Sequence, residues 1–428
     1  MEKAKRSAIL SALFMGLGQF FNREWTKGIM FLLIEVAALL NINYFINSIY
    51  GLITLGDTPQ KMVNGVKVGQ HSINMMVDGI IAIFIIMIIL GFYALNIRDA
   101  HKSVKELENG KKPLNGLAYI HSIWDKYFPY IMTTPSFLFT TFFILLPIVF
   151  TIAVAFTNYS SPNHLPPGKM VDWVGLENFV NLANLKIWNS TFITVGIWTL
   201  IFAVVTTVLN YTAGLLLAIL INSQGVKLKR LWRTIFILPY AIPAFISLLV
   251  MRLMFSGPGP VNNMLAGIGM DKIAFFTDPF IAKVMILVIN LWVGAPYFMA
   301  LMAGVLTNID KSLYEAAEID GATKFQQFFK ITLPLVLFQT MPLLIMTFAY
   351  NFNNFSVIYL LTDGSPINGK LKYAGDTDIL ISWIYKMTKD QNQFHMASVI
   401  TIVIFVFVAL TSIYSFSRTK SFKEEDMM

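Results

Sequence analysis

Apolar residues run through this chain in long blocks, and polar residues collect in the short stretches between them. A bilayer core of about 30 Å needs roughly 20 apolar residues in helical form. Eight blocks reach that length, at about 28–50, 77–97, 131–157, 190–221, 232–255, 280–306, 332–353 and 397–417. The pattern predicts an all-α integral membrane protein with about eight transmembrane helices. The stretch Ser7–Phe21 is apolar but short, and Gly16 and Gly18 interrupt it, so it reads as an interfacial or re-entrant segment. Basic residues set the direction. With the N-terminus inside, the inner segments carry 21 Lys and Arg against 9 in the outer ones, and Arg252 and Lys283 at span ends complete the 32. That asymmetry predicts N-in and C-in. The polar, basic stretch Arg98–Pro113 reads as a cytoplasmic linker. The expected organisation is therefore an N-terminal interfacial segment, two transmembrane helices and a linker over 1–120, then a core of six transmembrane helices over 121–428 with a loop at 308–333. The short polar tail after Arg418 carries no recognisable regulatory element.

Composition sharpens this picture. Charged residues make up 13% of the chain, about half the share of a soluble domain. The formal net charge of +8 lies in short loops between apolar runs, which is the mark of topology and gives no reason to expect nucleic acid as a partner. The absence of cysteine excludes disulfides, thiolate metal sites and a cysteine nucleophile. Five scattered histidines include no i, i+4 pair, so no metal ligand set is expected. Gly364–Leu371 holds the two glycines and the lysine of a phosphate loop, but lacks the hydroxyl that would hold magnesium and follows no predicted strand. It reads as a chance match. Glu35 is the clearest acid within a span, where it serves either an ion relay or a hydrogen bond inside the bundle. Asp78, Arg252 and Lys283 lie near span ends and can reach the interface.

Between the sixth and seventh spans, the run from Tyr314 to Thr323 predicts a short helix with small alanines that ends at Gly321. An amphipathic stretch with Phe325, Phe328 and Phe329 follows, and Pro334 opens the next span. Glu315-Ala316-Ala317, Gly321 and Ile331-Thr332-Leu333-Pro334 together resemble the EAA loop of binding-protein-dependent ABC importer permeases. Tyr350–Phe355, Leu360–Gly364, Leu238–Pro243 and Asn290–Tyr297 resemble the large maltose/maltodextrin permease subunits, the MalF type. This likeness covers roughly residues 130–420.

The resemblance implies that this loop docks on a separate ATPase through Glu315, Ala316, Asp320 and Gly321. It implies a second permease subunit forming a heterodimer, two copies of a cytoplasmic ATPase subunit that bind ATP and magnesium, and an extracellular sugar-binding protein. The chain itself is expected to bind no cofactor and to do no covalent chemistry, so it is a transport subunit and not an enzyme.

Three spans carry polar and aromatic residues at helical spacing. Tyr350, Asn351 and Asn354 share one face, as do Asn290, Gly294 and Tyr297, and Tyr240 with Ala244. An asparagine facing lipid would leave its amide unsatisfied, so these must face protein or water. Spacing alone leaves two readings open, interhelical hydrogen bonding and a sugar site. The resemblance implies the sugar site, with Tyr240, Asn290, Gly294, Tyr297, Tyr350, Asn351 and Asn354 as its contacts. Two departures from that family stand out: Ala244 replaces a serine, and the outer segment 158–189 lacks a large inserted domain. They leave the sugar open between maltodextrin and galacto- or raffinose-type oligosaccharides. Prolines 239, 243, 296 and 342 fit helices that line a moving cavity or that simply kink for packing. An ion-coupled transporter and a membrane scaffold are the rival classes.

Overall fold

The computed structural model describes residues 2–63, 66–110, 112–165, 168–223 and 225–418, with the side chains of 62–67, 415 and 418 excepted. The tail beyond Arg418 lies outside the described residues. Among the described residues, six helices are long and apolar enough to cross a membrane: Ser72–Glu108, Leu117–Ala155, Lys186–Asn222, Pro279–Thr307, Lys324–Phe352 and Phe394–Tyr414. The other two expected spans are bent pairs, Trp25–Leu40 with Ile42–Thr54 at 54° and Lys229–Ala241 with Ala244–Met254 at 89°. The eight-block reading of the sequence thus holds, with two blocks broken. The chain divides into two compact units, Met1–Gly175 and Leu176–Met428. This division by packing falls beyond residue 120, where the expected boundary separated two spans and their linker from the six-span core.

The first unit contains α1 (Glu2–Leu13), α2 (Leu17–Phe21), α3 (Trp25–Leu40), α4 (Ile42–Thr54), a hairpin of β1 (Lys61–Val63) and β2 (Val66–Val68), α5 (Ser72–Glu108), α6 (Leu117–Thr140) and α7 (Leu146–Ala155). The stretch around residues 7–21 folds as two helices against α5. Their buried face is polar: Ser7, Ser11, Gln19 and Asn22 are all at least nine-tenths buried. Asn96 of α5 organises this face. Its Oδ1 accepts from Gly16 N at 3.1 Å and its Nδ2 donates to the Ser11 carbonyl at 2.9 Å. Gln19 Nε2 donates to the Asn96 carbonyl at 3.0 Å, and Lys27 pairs with both Glu24 and Asp99. Glu35 accepts from Met15 N at 3.1 Å, which gives this acid a structural partner. The same network explains why Arg98–Glu108 is helical although its sequence looks like a linker: Ala100, Ser103 and Val104 are buried, so α5 continues past its apolar span.

The second unit contains α8 (Glu177–Asn184), α9 (Lys186–Asn222), α10 (Lys229–Ala241), α11 (Ala244–Met254), α12 (Pro260–Gly267), α13 (Pro279–Thr307), α14 (Lys311–Ile319), α15 (Lys324–Gln327), α16 (Leu333–Phe352), α17 (Phe355–Leu361), α18 (Leu380–Lys389) and α19 (Phe394–Arg418). Helices α9 and α13 form its centre, with Trp198, Phe202, Ile286, Ile289 and Ile358 in one buried cluster and Tyr211, Phe298, Met299, Met302 and Val336 in another.

Proline decides where helices deform. A proline within a helix lacks a donor and its ring crowds the carbonyl four residues back. Pro147 and Pro334 each follow a π-helical turn, Thr141–Leu145 and Phe328–Thr332, whose wider spacing gives that carbonyl room. Pro243 acts more sharply. The residue before a proline avoids the helical region, and Ile242 is extended, with φ −85° and ψ 135°. The helix stops there and restarts at Ala244 in a new direction. The outer stretch between α17 and α19 is tied down by the Asp378–Lys386 ion pair at 2.8 Å and by Trp198 Nε1 donating to the Thr377 carbonyl at 3.1 Å. Gly364–Leu371 lies here, directly after α17 and a turn, with no strand before it.

Replacing Asn96 with alanine would orphan Gly16 N–H and the Ser11 carbonyl, at roughly 1–3 kcal/mol for each buried group. The expected result is a lower unfolding temperature for the purified protein and faster protease cleavage within residues 2–24. Both are measurable by thermal melting and limited proteolysis.

Candidate substrate cavity and coupling loop

The break at Ile242-Pro243 opens a cavity of about 820 Å³ in the second unit. That is within the range of about 300–1,000 Å³ common for small-molecule sites. Pro239 to Ala244 form one wall, and α9, α13, α16 and α17 form the rest. Helix breaks are tolerated at membrane depth where the freed backbone lines a cavity. All seven residues expected from helical spacing and the resemblance together line this space: Tyr240, Asn290, Gly294, Tyr297, Tyr350, Asn351 and Asn354. The lining therefore pairs amide groups with aromatic faces.

The seven differ in what holds them. Tyr240 and Tyr297 pack against each other with centroids 5.8 Å apart. Tyr240 and Tyr350 are 54% and 68% exposed, so their rings are free to be covered. Asn351 is buried and donates through Nδ2 to Thr207 Oγ1 at 2.9 Å. Thr207 passes its own proton to the Ala203 carbonyl at 2.7 Å, which fixes the direction of the pair. Asn354 is the N-cap of α17, with Oδ1 accepting from Val357 N at 3.5 Å. Asn290 is buried, and its Nδ2 has no hydrogen-bond partner. Gly294 lies against Asn210 of α9, where an added Cβ would come within 2.4 Å of the amide nitrogen.

The spacing argument passed over Asn210 and Thr207. They sit three residues apart on one face of α9, the signal that identified the other helices. Tyr211, four residues after Thr207, completes the same spacing, so the signal was present in this span and was passed over. Ala244 lines the cavity beside Phe245, as its position after Pro243 requires.

The cytoplasmic loop is built from standard helix endings. Asp310 caps α14 by accepting from Ser312 N, and that bond holds its carboxyl below the usual range. At the far end Gly321 has φ +75°, a conformation that L side chains resist. Gly321 N donates to the Glu318 carbonyl and Ala322 N to the Ala317 carbonyl, which is a Schellman ending. Thr323 and Gln326 then form a capping box for α15. Tyr314 Oη and Thr332 Oγ1 meet at 2.8 Å and tie α14 to the start of the next span. Lys324 pairs with Glu318, and this hydrogen bond and charge lower the Glu318 carboxyl pKa. Glu315, Ala316, Asp320 and Gly321 are exposed. So are Ile319 at 87% and Phe325 at 70%, two large apolar side chains flanking the glycine turn.

A family profile described as "Binding-protein-dependent transport system inner membrane component" matches residues 210–419. The chain is 38% identical to the galactooligosaccharides transport system permease protein GanP of Bacillus subtilis (strain 168), over 98% of this chain and 99% of that protein. It is 38% identical to the maltodextrin transport system permease protein MdxF of the same organism, over 100% of this chain and 99% of that protein. The maltose/maltodextrin transport system permease protein MalF of Klebsiella aerogenes is 40% identical over 60% of this chain and 51% of that protein. Among solved structures, a bacterial ABC transporter involved in the import of the acidic polysaccharide alginate superposes with a TM-score of 0.58. That match has 23% identity and covers 71% of this chain and 98% of the other, and it is a likeness of fold.

Gly294→Ala should force its methyl group into the Asn210 amide and destabilise the protein by roughly 1–3 kcal/mol, the usual cost of overpacking. Combining it with Asn210→Ala should recover part of that loss. Melting temperatures of the two single variants and the double variant measure the coupling, and strictly additive losses would contradict the contact.

Proposed function

Since the chain belongs to the family of binding-protein-dependent transport system inner membrane components, we propose that it carries oligosaccharides of the maltodextrin type across the membrane in which it lies. It is a multi-pass protein of the bacterial plasma membrane, and its family role is that of a transport subunit. The observation that carries the sugar reading is the lining of the cavity, where three asparagines and three tyrosines come from α10, α13, α16 and the start of α17. Amides donate to and accept from hydroxyl groups, and aromatic faces cover the C–H faces of sugar rings. The relatives named for maltodextrin and for galactooligosaccharides stand at equal identity, so the galacto-type sugar is the second reading.

The exposed turn at Gly321 is the proposed docking point for a separate ATPase, which would bind ATP and magnesium. Ile319 and Phe325 offer apolar anchors beside Glu315, Ala316 and Asp320. The rigid Schellman ending supports force transfer, because a docked surface pulling on α14 acts on α16 through Tyr314 and Thr332. The remaining proposed partners are a second permease subunit, two ATPase copies and an extracellular sugar-binding protein. In this scheme ATP-driven closure of the ATPases alternates the cavity between the two sides. The ion-coupled alternative loses support, since Glu35 is used to hold the Met15 backbone.

The test is gentle co-purification of the tagged protein from its native cells, together with uptake of labelled maltotriose. A second permease and an ATPase should accompany the native chain, and Gly321→Val should release the ATPase while leaving the chain folded. Asn351→Ala should cut uptake roughly 10- to 100-fold, the worth of one or two buried polar contacts. Uptake that persists without any ATPase and collapses with an ionophore would defeat the proposal.

A further inference from the structure

The wall that α9 gives to the cavity holds an amide with no assigned task. Asn210 is only 4% exposed and lines the cavity together with Asn290, which is 5% exposed. Oδ1 of Asn210 and Nδ2 of Asn290 are both buried without a hydrogen-bond partner among the described residues. One is an acceptor and the other a donor. Thr207, one helical turn away from Asn210, is by contrast fully used between Asn351 and the Ala203 carbonyl. Helix α9 thus supplies one residue that positions a neighbour and one whose hydrogen-bonding capacity stands idle.

Keeping an idle amide inside a membrane protein lowers stability, because a buried polar group without a partner is worse placed than an apolar group of the same size. Leucine has nearly the shape of asparagine and would remove the cost. Costs of this kind are expected where a ligand recovers them. A sugar hydroxyl donates and accepts at once, so it can serve both amides. The terminal torsion of asparagine is soft, so a small turn brings the buried oxygen of Asn210 to a hydroxyl at the cavity wall. Gly294 limits where that amide can go, since the Asn210 side chain rests on the space a Cβ would fill.

We infer that Asn210 is a specificity-determining contact of the sugar site, acting with Asn290 as an acceptor and donor pair that reads the direction of ring hydroxyls. This rests on the cavity being the sugar site. Gluco- and galacto-sugars differ in whether one ring hydroxyl is equatorial or axial, and an acceptor on α9, packed on Gly294, together with a donor on α13 discriminates direction. Spans α10, α13 and α16 then grip the sugar, and α9 selects it.

The experiment uses the complete transporter, purified with its own partner subunits and reconstituted in proteoliposomes with its binding protein. Uptake of radiolabelled maltotriose and of galactotriose is measured separately for the native chain, Asn210→Leu and Asn351→Ala, with the melting temperature of each purified complex. Asn210→Leu should melt no lower than the native complex and should change the ratio of the two uptake rates by about tenfold or more. A lower melting temperature with both uptake rates reduced alike would make Asn210 a structural residue and overturn the inference. An unchanged ratio, with uptake abolished by Asn351→Ala, would overturn it and leave the cavity as the sugar site. Unchanged uptake of both sugars in both variants would remove the cavity reading as well. If Asn210→Leu fails to assemble, Asn210→Ser, which restores a smaller hydrogen-bonding group, is subjected to the same comparison with the same criteria.

Discussion

Inside a bilayer a polar group must find its partner within the protein or in a water-filled space, because lipid offers none. Every polar residue in a span is therefore evidence about what lies beside it. At the Ile242-Pro243 break this constraint meets a backbone short of donors. Pro239 and Pro243 remove donors, and the extended Ile242 interrupts the helical ladder. The freed carbonyls are acceptable because the break faces the 820 Å³ cavity. The cavity is thus the condition under which the broken helix can exist.

The same constraint gives a different outcome in the N-terminal unit. There the buried polar residues of α1 and α2 meet complementary groups on α5, centred on Asn96. The short helices stay attached to α5 by polar bonds, and their apolar side chains Ile9, Leu13 and Leu17 are left on the outside. That inverts the arrangement of a soluble domain and suits a surround that is itself apolar. It also accounts for Glu35, whose carboxylate is spent on the backbone of the turn at Met15.

Much of this was legible from the sequence, for reasons that differ by residue. The eight apolar blocks are visible because the bilayer fixes a minimum length. Spacing of three and four put seven cavity residues on shared helix faces, and the resemblance to the maltose/maltodextrin permeases named them as contacts. The 89° bend was not foreseen, although proline was noted at 239 and 243, because a proline signals deformation without fixing its angle. The helical character of Arg98–Glu108 was hidden for another reason. Its support comes from α1 and α2, far away in the chain, and no local pattern records such a contact. Asn210 was passed over although Thr207 and Tyr211 share its spacing, and its contact with Gly294 on another helix is one that no local pattern records.

The lining combines amides of two kinds, and a transporter has use for both. Asn351 and Asn354 are held by protein groups, so their directions are fixed before any ligand arrives. Fixed groups lose little freedom on binding and give selectivity at low entropic cost. Asn290 and Asn210 each carry an atom without a partner among the described residues, which a ligand at the proposed site would satisfy. A site made only of fixed, satisfied groups would compete poorly with the water it must displace. One made only of idle amides would hold sugar too firmly to release it when the cavity turns. In the proposed sugar site the mixture would set an intermediate grip, strong enough to choose among sugars and weak enough to let the chosen one leave.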